Sequence, residues 1–82
     1  MNEDEIKRAI ERLTYRYSEW TIGITEDPET RRRSHRNPKG WSQWRANTET
    51  VARRIESYYL VKGMKGGTGG GDHPTYVYIF QN

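Results

Sequence analysis

The first segment of the chain has the apolar spacing of an amphipathic helix. Side chains at three- and four-residue intervals form one stripe along residues 3–17, made of Ile6, Ala9, Ile10, Leu13 and Tyr17. Asn2 stands where an N-cap is expected, and Glu5 follows three residues later, as in a capping box. We therefore predict a first helix over residues 3–17 that buries this stripe.

An alternating segment comes next. Trp20, Ile22 and Ile24 point to one side of Trp20–Thr25 and small or polar residues point to the other, which is typical of a half-buried strand. Asp27 followed by Pro28 matches a helix N-cap with proline at the first helical position. These signals predict a strand followed by a second helix over residues 28–35.

The remaining pattern predicts two more strands and one more helix. Residues 41–46 form either an edge strand or an aromatic-anchored loop, and we favour the strand. A third helix over residues 49–62 ends at Gly63, and a glycine-rich, flexible loop follows it. The last strand, residues 75–80, places Val77 and Ile79 on the core side together with Ile22 and Ile24.

The order α-β-α-β-α-β predicts the fold class. We expect a small α+β domain over residues 1–82, with a three-stranded, mainly antiparallel sheet packed with three helices. A mean hydropathy of −1.15 is low, but the periodic segments favour a folded chain. Cysteine is absent, which excludes disulfides and thiolate metal sites. No apolar run is long enough for a membrane span, so we expect no membrane partner and a cytoplasmic location by default. The sequence does not determine the oligomeric state, and we favour a monomer.

Positive charge is concentrated in the middle of the chain. Residues 31–54 carry eight Lys/Arg and one acidic residue, a net +7, whereas the whole chain carries +3. A basic segment of this kind predicts a polyanionic partner, DNA or RNA, although an ordinary solvated surface has the same composition. The candidate contacts are Arg32, Arg33, Arg36, Lys39, Arg45 and Arg53.

Three other groups of residues have a chemical and a structural interpretation. Trp41 and Trp44 are flat rings that can stack on bases, although core anchoring is the commoner role of such rings. The glycine-rich loop 66–71 lacks the helix that a phosphate-binding loop opens, so a linker is favoured. Glu56 lies beside Ile55 on the apolar side of the third helix, where a carboxylate either pairs with an arginine or holds a hard cation such as Mg²⁺.

Residues 21–35, TIGITEDPETRRRSH, resemble the second-strand motif of the GIY-YIG nucleases. In that family a Tyr-Ile-Gly-Ile-Thr strand leads into a helix that carries an arginine and then a histidine. Thr21 stands at the position of the tyrosine, and the chain has no clear counterpart of the family's late asparagine. The matching residues are Ile22, Gly23, Ile24, Thr25, Asp27, Glu29, Arg31 and His35, with Ala52 and Glu56 similar to the family's Ala-then-Glu helix.

The resemblance also implies a changed order of elements. The Gly-Ile-Tyr strand precedes the motif in the family, but a helix stands there in this chain. The only candidate for that strand is residues 75–80, with Tyr76 or Tyr78 as its tyrosine. The resemblance therefore implies a circularly permuted arrangement, in which this last strand pairs beside residues 21–25.

The family's reaction is metal-assisted hydrolysis of phosphodiesters. By resemblance, Arg31 would stabilise the phosphate, Glu56 would hold Mg²⁺, and Tyr76 or Tyr78 would activate or orient the nucleophile, with His35 in the catalytic set. These residues would then have to meet at one cleft. The alternatives are a non-catalytic DNA- or RNA-binding module and a protein-interaction module of a small bacterial or phage-type protein.

Overall fold

In the computed structural model, which describes residues 1–67, 71 and 73–82, helices and strands alternate along the chain. The helices are α1 (Glu3–Leu13), α2 (Pro28–Ser34) and α3 (Glu49–Lys62), and the strands are β1 (Trp20–Thr25), β2 (Ser42–Arg45) and β3 (Tyr76–Gln81). The predicted class, an α+β fold with a three-stranded antiparallel sheet and three helices, is confirmed.

The strand that comes last in sequence lies in the middle of the sheet. The order is β1-β3-β2, and β3 runs antiparallel to both neighbours. Ile22 is opposite Ile79, and Gly23 is opposite Tyr78. Because directly opposed residues of an antiparallel pair share a face, the isoleucines and Val77 lie on one face and Gly23 and Tyr78 lie on the other.

The hydrophobic core lies between α1, α3 and the first of these faces. Its largest fully buried members come from all three elements: Ile6, Ile10, Ile22, Ile55, Tyr59, Val77 and Ile79. Each such side chain contributes roughly 1.5–3 kcal/mol on burial. The prediction that Val77 and Ile79 share a core face with Ile22 and Ile24 is confirmed.

The first helix is shorter than predicted. α1 ends at Leu13 because Thr14 turns to extended backbone, and its N–H and its hydroxyl both donate to the Ile10 carbonyl, at 3.1 and 2.9 Å. Tyr17 therefore lies in a short 3₁₀ turn, Tyr17–Glu19. Its ring still packs edge-on against Tyr59 at 5.6 Å between centroids. The apolar spacing identified the right side chain but extended the helix too far.

The other ends lie close to their predicted positions. Asn2 and Glu5 form the capping box, and the Asp27 side chain accepts the Thr30 N–H at 3.1 Å, with Pro28 at the first helical position. Gly63 ends α3 in the left-handed conformation, at φ 118°. Part of the predicted flexible loop 66–71, together with Asp72, lies outside the described residues. None of the described helices combines the length and the apolar character needed to cross a bilayer.

Candidate functional site

Side chains from α2, α3 and β3 meet at a cleft beside β1. The cleft has a volume of about 250 Å³, and its lining includes Arg31, His35, Glu56, Tyr78, Gly23 and Gly66. β1 is an edge strand, so α3 on one side of the sheet and α2 on the other can both contribute side chains around it. We call this the candidate cleft. Three residues that the sequence analysis placed in one site, Arg31, Glu56 and Tyr78, line it together with His35.

Gly23 makes room for the tyrosine of the candidate cleft. Tyr78 is directly opposite Gly23 across the β1–β3 ladder. A Cβ atom on Gly23 would overlap the phenol of Tyr78. The absence of a side chain at residue 23 therefore lets the ring lie across β1 and brings the phenol oxygen to the cleft.

Glu56 contributes a carboxylate without a protein partner. Its residue is 6% exposed, and within the described part of the chain its side chain makes no hydrogen bond and no ion pair. No polar side-chain atom described here is both fully buried and unpartnered, so the carboxylate must open into the candidate cleft. Burial raises the pKa of Glu56, and the nearby charge of Arg53 opposes that rise.

This carboxylate fits one kind of metal ion. Across residues 1–67, 71 and 73–82, no group of three or more acidic, histidine or cysteine side chains forms a metal cage. A zinc site held by several protein ligands therefore does not fit the described residues. Mg²⁺ does fit, since it needs only one or two protein carboxylates and keeps its waters or takes phosphate oxygens.

Tyr78 and His35 form a polar pair at the candidate cleft. The Tyr78 hydroxyl lies 3.3 Å from Nε2 of His35, and the phenol can donate to this nitrogen when the imidazole is neutral. Burial lowers the pKa of His35, and the charge of Arg31 lowers it further. Burial raises the pKa of Tyr78, whereas Arg31 opposes that rise and Glu56 adds to it. At neutral pH the pair is therefore a protonated phenol beside a neutral imidazole.

Arg31 differs from the two arginines that follow it. It is half-buried at the candidate cleft, whereas Arg32 and Arg33 are exposed, because consecutive helical positions point about 100° apart. The Asp27 cap fixes the start of α2 and thus the direction in which Arg31 points. The guanidinium is the permanent positive charge of a cleft whose other described ionisable groups are an acid, a phenol and a neutral imidazole.

Several predicted site residues lie elsewhere. Tyr76, the alternative to Tyr78, does not line the candidate cleft. The Arg45 guanidinium lies over the ring of Tyr76, 5.8 Å from the ring centroid. Arg53 pairs with Glu49 at 2.7 Å and lines a groove between α1 and α3. The other candidate nucleic-acid contacts are exposed on α2, on the segment after it and on β2: Arg32, Arg33, Arg36, Lys39 and Arg45.

Two neighbours of the candidate cleft were not predicted. Gly66 lies against β1, and a Cβ atom there would overlap the carbonyl oxygen of Ile22. The contact follows from hydrogen bonds between Lys65 and β1, a tertiary pairing that no local pattern indicates. Trp41 stacks on Tyr78 at 4.5 Å between ring centroids. Its place on this face is consistent with strand alternation, because Gln43, two residues later, is opposite Tyr78.

Comparison of the chain with protein-family models, with curated proteins and with solved structures gives no match.

Proposed function

We propose that this protein binds nucleic acid at the candidate cleft and hydrolyses a phosphodiester there with the help of a divalent cation. The observation that carries the proposal is that Arg31, Glu56 and Tyr78, from three different elements, line one cleft. They are a cation, a carboxylate and a phenol, the residue types that this chemistry uses. The pairing of β3 beside β1 is also the one that a permuted GIY-YIG-like arrangement requires.

Each residue has a role that follows from its surroundings. Arg31 binds non-bridging phosphate oxygens through its planar fork and balances the negative charge that develops on them. Glu56 would hold Mg²⁺, and the ion would supply Lewis-acid chemistry, namely polarisation of the phosphate and activation of water. The Tyr78 hydroxyl orients the attacking water, and neutral His35 accepts the phenol proton when the phenol takes a proton from that water.

Binding without cleavage is the second candidate function. Thr21 stands at the tyrosine position of the strand motif and has no phenol to offer. Its hydroxyl donates to the Asn82 side chain, so it is already engaged. In this case the basic surface of α2 and the following segment would bind DNA or RNA, and Arg31 would be one contact among several. The cytoplasmic location and the monomeric state stay predictions under either candidate.

The experiment is a cleavage and binding assay on labelled DNA and RNA oligonucleotides, single-stranded and duplex. We expect cleavage with Mg²⁺, none with EDTA, and a loss of roughly 100-fold or more in Arg31→Ala and Glu56→Gln. Glu56→Gln should still bind oligonucleotide in EDTA, because the variant retains every lysine and arginine side chain. Arg33→Ala, an exposed arginine of the same helix, is the matched control and should keep its cleavage rate within a few-fold.

The outcomes separate the two candidates. Cleavage that survives unchanged in Glu56→Gln would contradict the proposed role of this carboxylate. Binding without any Mg²⁺-dependent cleavage supports the second candidate instead of the first. Absence of both binding and cleavage overturns both.

A further inference from the structure

The sheet face opposite the core is lined by aromatic rings. α1 and α3 cover the core face. On the opposite face no residue of α2 is buried, and His35 at the end of this helix packs against Phe80, with 4.9 Å between ring centroids. Three rings on that opposite face stack on one another, and we call them together the aromatic face: Trp41, Tyr78 and Phe80.

The three rings are parallel. Trp41 lies 4.5 Å from Tyr78 with 10° between the planes, and 6.0 Å from Phe80 with 6° between them. Tyr78 is 4% exposed, whereas Trp41 and Phe80 are half-buried and so retain accessible ring surface. The indole N–H of Trp41 donates to the Gln43 side chain at 2.8 Å, which fixes the direction of the ring in its plane. The rings are therefore stacked in parallel planes, and their orientation is fixed by these contacts.

Exposed cations lie next to this surface. The Arg32 guanidinium lies over the ring of Trp41, 6.0 Å from its centroid, and the Arg45 guanidinium lies over the ring of Tyr76 on the same face, 5.8 Å from its centroid. Both belong to the segment of residues 31–54 with its net charge of +7. A partner that suits both features has flat rings and negative charges in alternation, which describes a nucleic-acid strand with unpaired bases.

We propose that the aromatic face is a base-stacking platform that makes this protein selective for single-stranded nucleic acid over duplex. The inference rests on the proposed nucleic-acid binding and names its substrate class. In a duplex the bases are already stacked on one another, so only a strand with free bases can use the ring of Trp41. Tyr78 belongs both to the aromatic face and to the candidate cleft, so a base on Trp41 places the neighbouring backbone at the cleft.

The competing explanation is structural, because Trp41 also shields Tyr78 from water. On that explanation the ring stabilises the fold but has no effect on ligand choice. The two explanations differ in what a substitution of Trp41 does to single-strand and duplex affinity. They also differ in the fluorescence of Trp41 when an oligonucleotide is added.

The test measures anisotropy of one labelled DNA oligonucleotide, alone and annealed to its complement, with EDTA present to prevent cleavage. We expect the single strand to bind about tenfold or more tightly than the duplex, and Trp41→Ala to lose about tenfold in single-strand affinity only. Trp44→Phe is the matched control, since Trp44 lies opposite Val77 on the core face of β2, the strand that begins directly after Trp41. It should leave both affinities unchanged.

Trp41→Phe keeps a flat ring and covers the case in which Trp41→Ala does not fold. Single strand should quench the tryptophan fluorescence of the wild type, and this quenching should disappear in Trp41→Phe and persist in Trp44→Phe. Equal single-strand and duplex affinities, or quenching unchanged in Trp41→Phe, would overturn the platform while leaving nucleic-acid binding intact. Absence of binding to either form would overturn the proposed function and the platform together.

Discussion

Glu56 is a residue whose environment opposes its own ionisation. It lies on α3 among the buried side chains of Ala52, Ile55 and Tyr59. Within the described part of the chain, no lysine or arginine side chain forms an ion pair with it. A carboxylate in such a place lowers stability when it ionises. Residues that lower stability and have no compensating contact within the fold are typical of functional sites, where the same group binds a ligand.

Glu56→Gln should therefore raise the stability of the fold at neutral pH. The raised pKa of Glu56 means that the folded state favours the protonated carboxyl, so the contribution of this residue to stability is greatest at acid pH and falls as pH rises above the ordinary value of 4.5. The Tm difference between Glu56→Gln and wild type should be small below this pH and grow to a few degrees at neutral pH, since ~1 kcal/mol shifts Tm by roughly 4–8 °C in such a domain. Thermal unfolding across this pH range measures it.

Mg²⁺ and a second variant complete the experiment on Glu56. Excess Mg²⁺ should raise the Tm of the wild type and leave Glu56→Gln unchanged, because a ligand stabilises only the state that binds it. Glu49→Gln is the control of opposite sign: Arg53 lowers the pKa of Glu49, so this variant should lose stability at neutral pH. A lower Tm for Glu56→Gln at neutral pH would show that the carboxylate has a structural partner.

The sequence predicted the site residues unevenly, and the reason is geometric. Arg31 was chosen because the strand-and-helix motif resembles that of the GIY-YIG nucleases, and Glu56 because it lies beside Ile55 on the apolar side of a predicted helix and matches the same family. The choice between Tyr76 and Tyr78 could not be made, because both lie on the same face of one strand. The register distinguishes the two tyrosines: Tyr78, not Tyr76, is opposite Gly23, where the missing side chain leaves room for a phenol.

At the scale of elements, the end of α2 has an unusual backbone. Arg36 and Asn37 have φ values of 63° and 49°, in the left-handed region that glycine adopts freely and that arginine adopts at a cost. Their N–H groups donate to the carbonyls of Arg33 and Arg32, at 2.9 and 3.0 Å, and so close the helix. Glycine is the usual residue at such an end. An arginine here lowers the stability of the fold and places a positive charge on the surface.

Arg36→Gly should stabilise the fold and weaken nucleic-acid binding at the same time. Relief of the left-handed backbone should raise stability by about 0.5–1 kcal/mol, while the lost phosphate contact should reduce oligonucleotide affinity several-fold. Thermal unfolding and anisotropy on the same sample measure the two effects. Asn37→Gly is the control, because it changes the adjacent left-handed residue and keeps the charge, and its affinity should equal that of the wild type. Unchanged affinity in Arg36→Gly would remove this residue from the interface.

Helix ends were predicted correctly where a characteristic capping residue marks them. Asn2, Asp27 and Gly63 each perform the capping role that their residue type suggests. The end of α1 was missed because Tyr17 continues the helical spacing of the apolar stripe. The backbone in fact leaves the helix at Thr14, whose hydroxyl donates to the Ile10 carbonyl. Threonine also makes this bond within helices, so the residue type alone does not mark a helix end.

At the scale of the whole molecule, the two faces of the sheet have different surroundings. One face is covered by helices, and the other presents the aromatic face with exposed cations beside it. Charge counted along the sequence did not separate these sides, since Arg53 belongs to the basic segment but is held by Glu49 in the groove between α1 and α3. Segment charge predicts the kind of partner, and only the fold assigns each cation to a side.

The affinity for single strands should fall steeply with salt. About four to six phosphate contacts from the cations around α2 and β2 correspond to a slope of roughly −3 to −4 in log K against log salt. Arg45→Gln should reduce the slope by about 0.7, the contribution of one contact. Arg53→Gln is the control and should leave the slope unchanged, because its side chain lies in the groove between α1 and α3. A slope near zero would contradict a phosphate-binding surface.

The strand order could not be derived from the sequence. The alternation of apolar residues predicts three strands and the face that each buries, but it does not tell which strand lies in the middle. Pairing depends on contacts between segments far apart in the chain, such as Thr25 with Tyr76, and no local pattern encodes them.

The central position of β3 has a consequence for how the molecule is made. A ribosome releases β1 and β2 before β3, and among the described strands each of them pairs only with β3. Neither can enter a sheet while it waits, although α1, α2 and α3 can already form. The ring of Tyr78 arrives with that same last strand, so the nascent chain has neither the candidate cleft nor the stacked rings until its sheet closes. Closure of the sheet and formation of the candidate cleft are thus one late event.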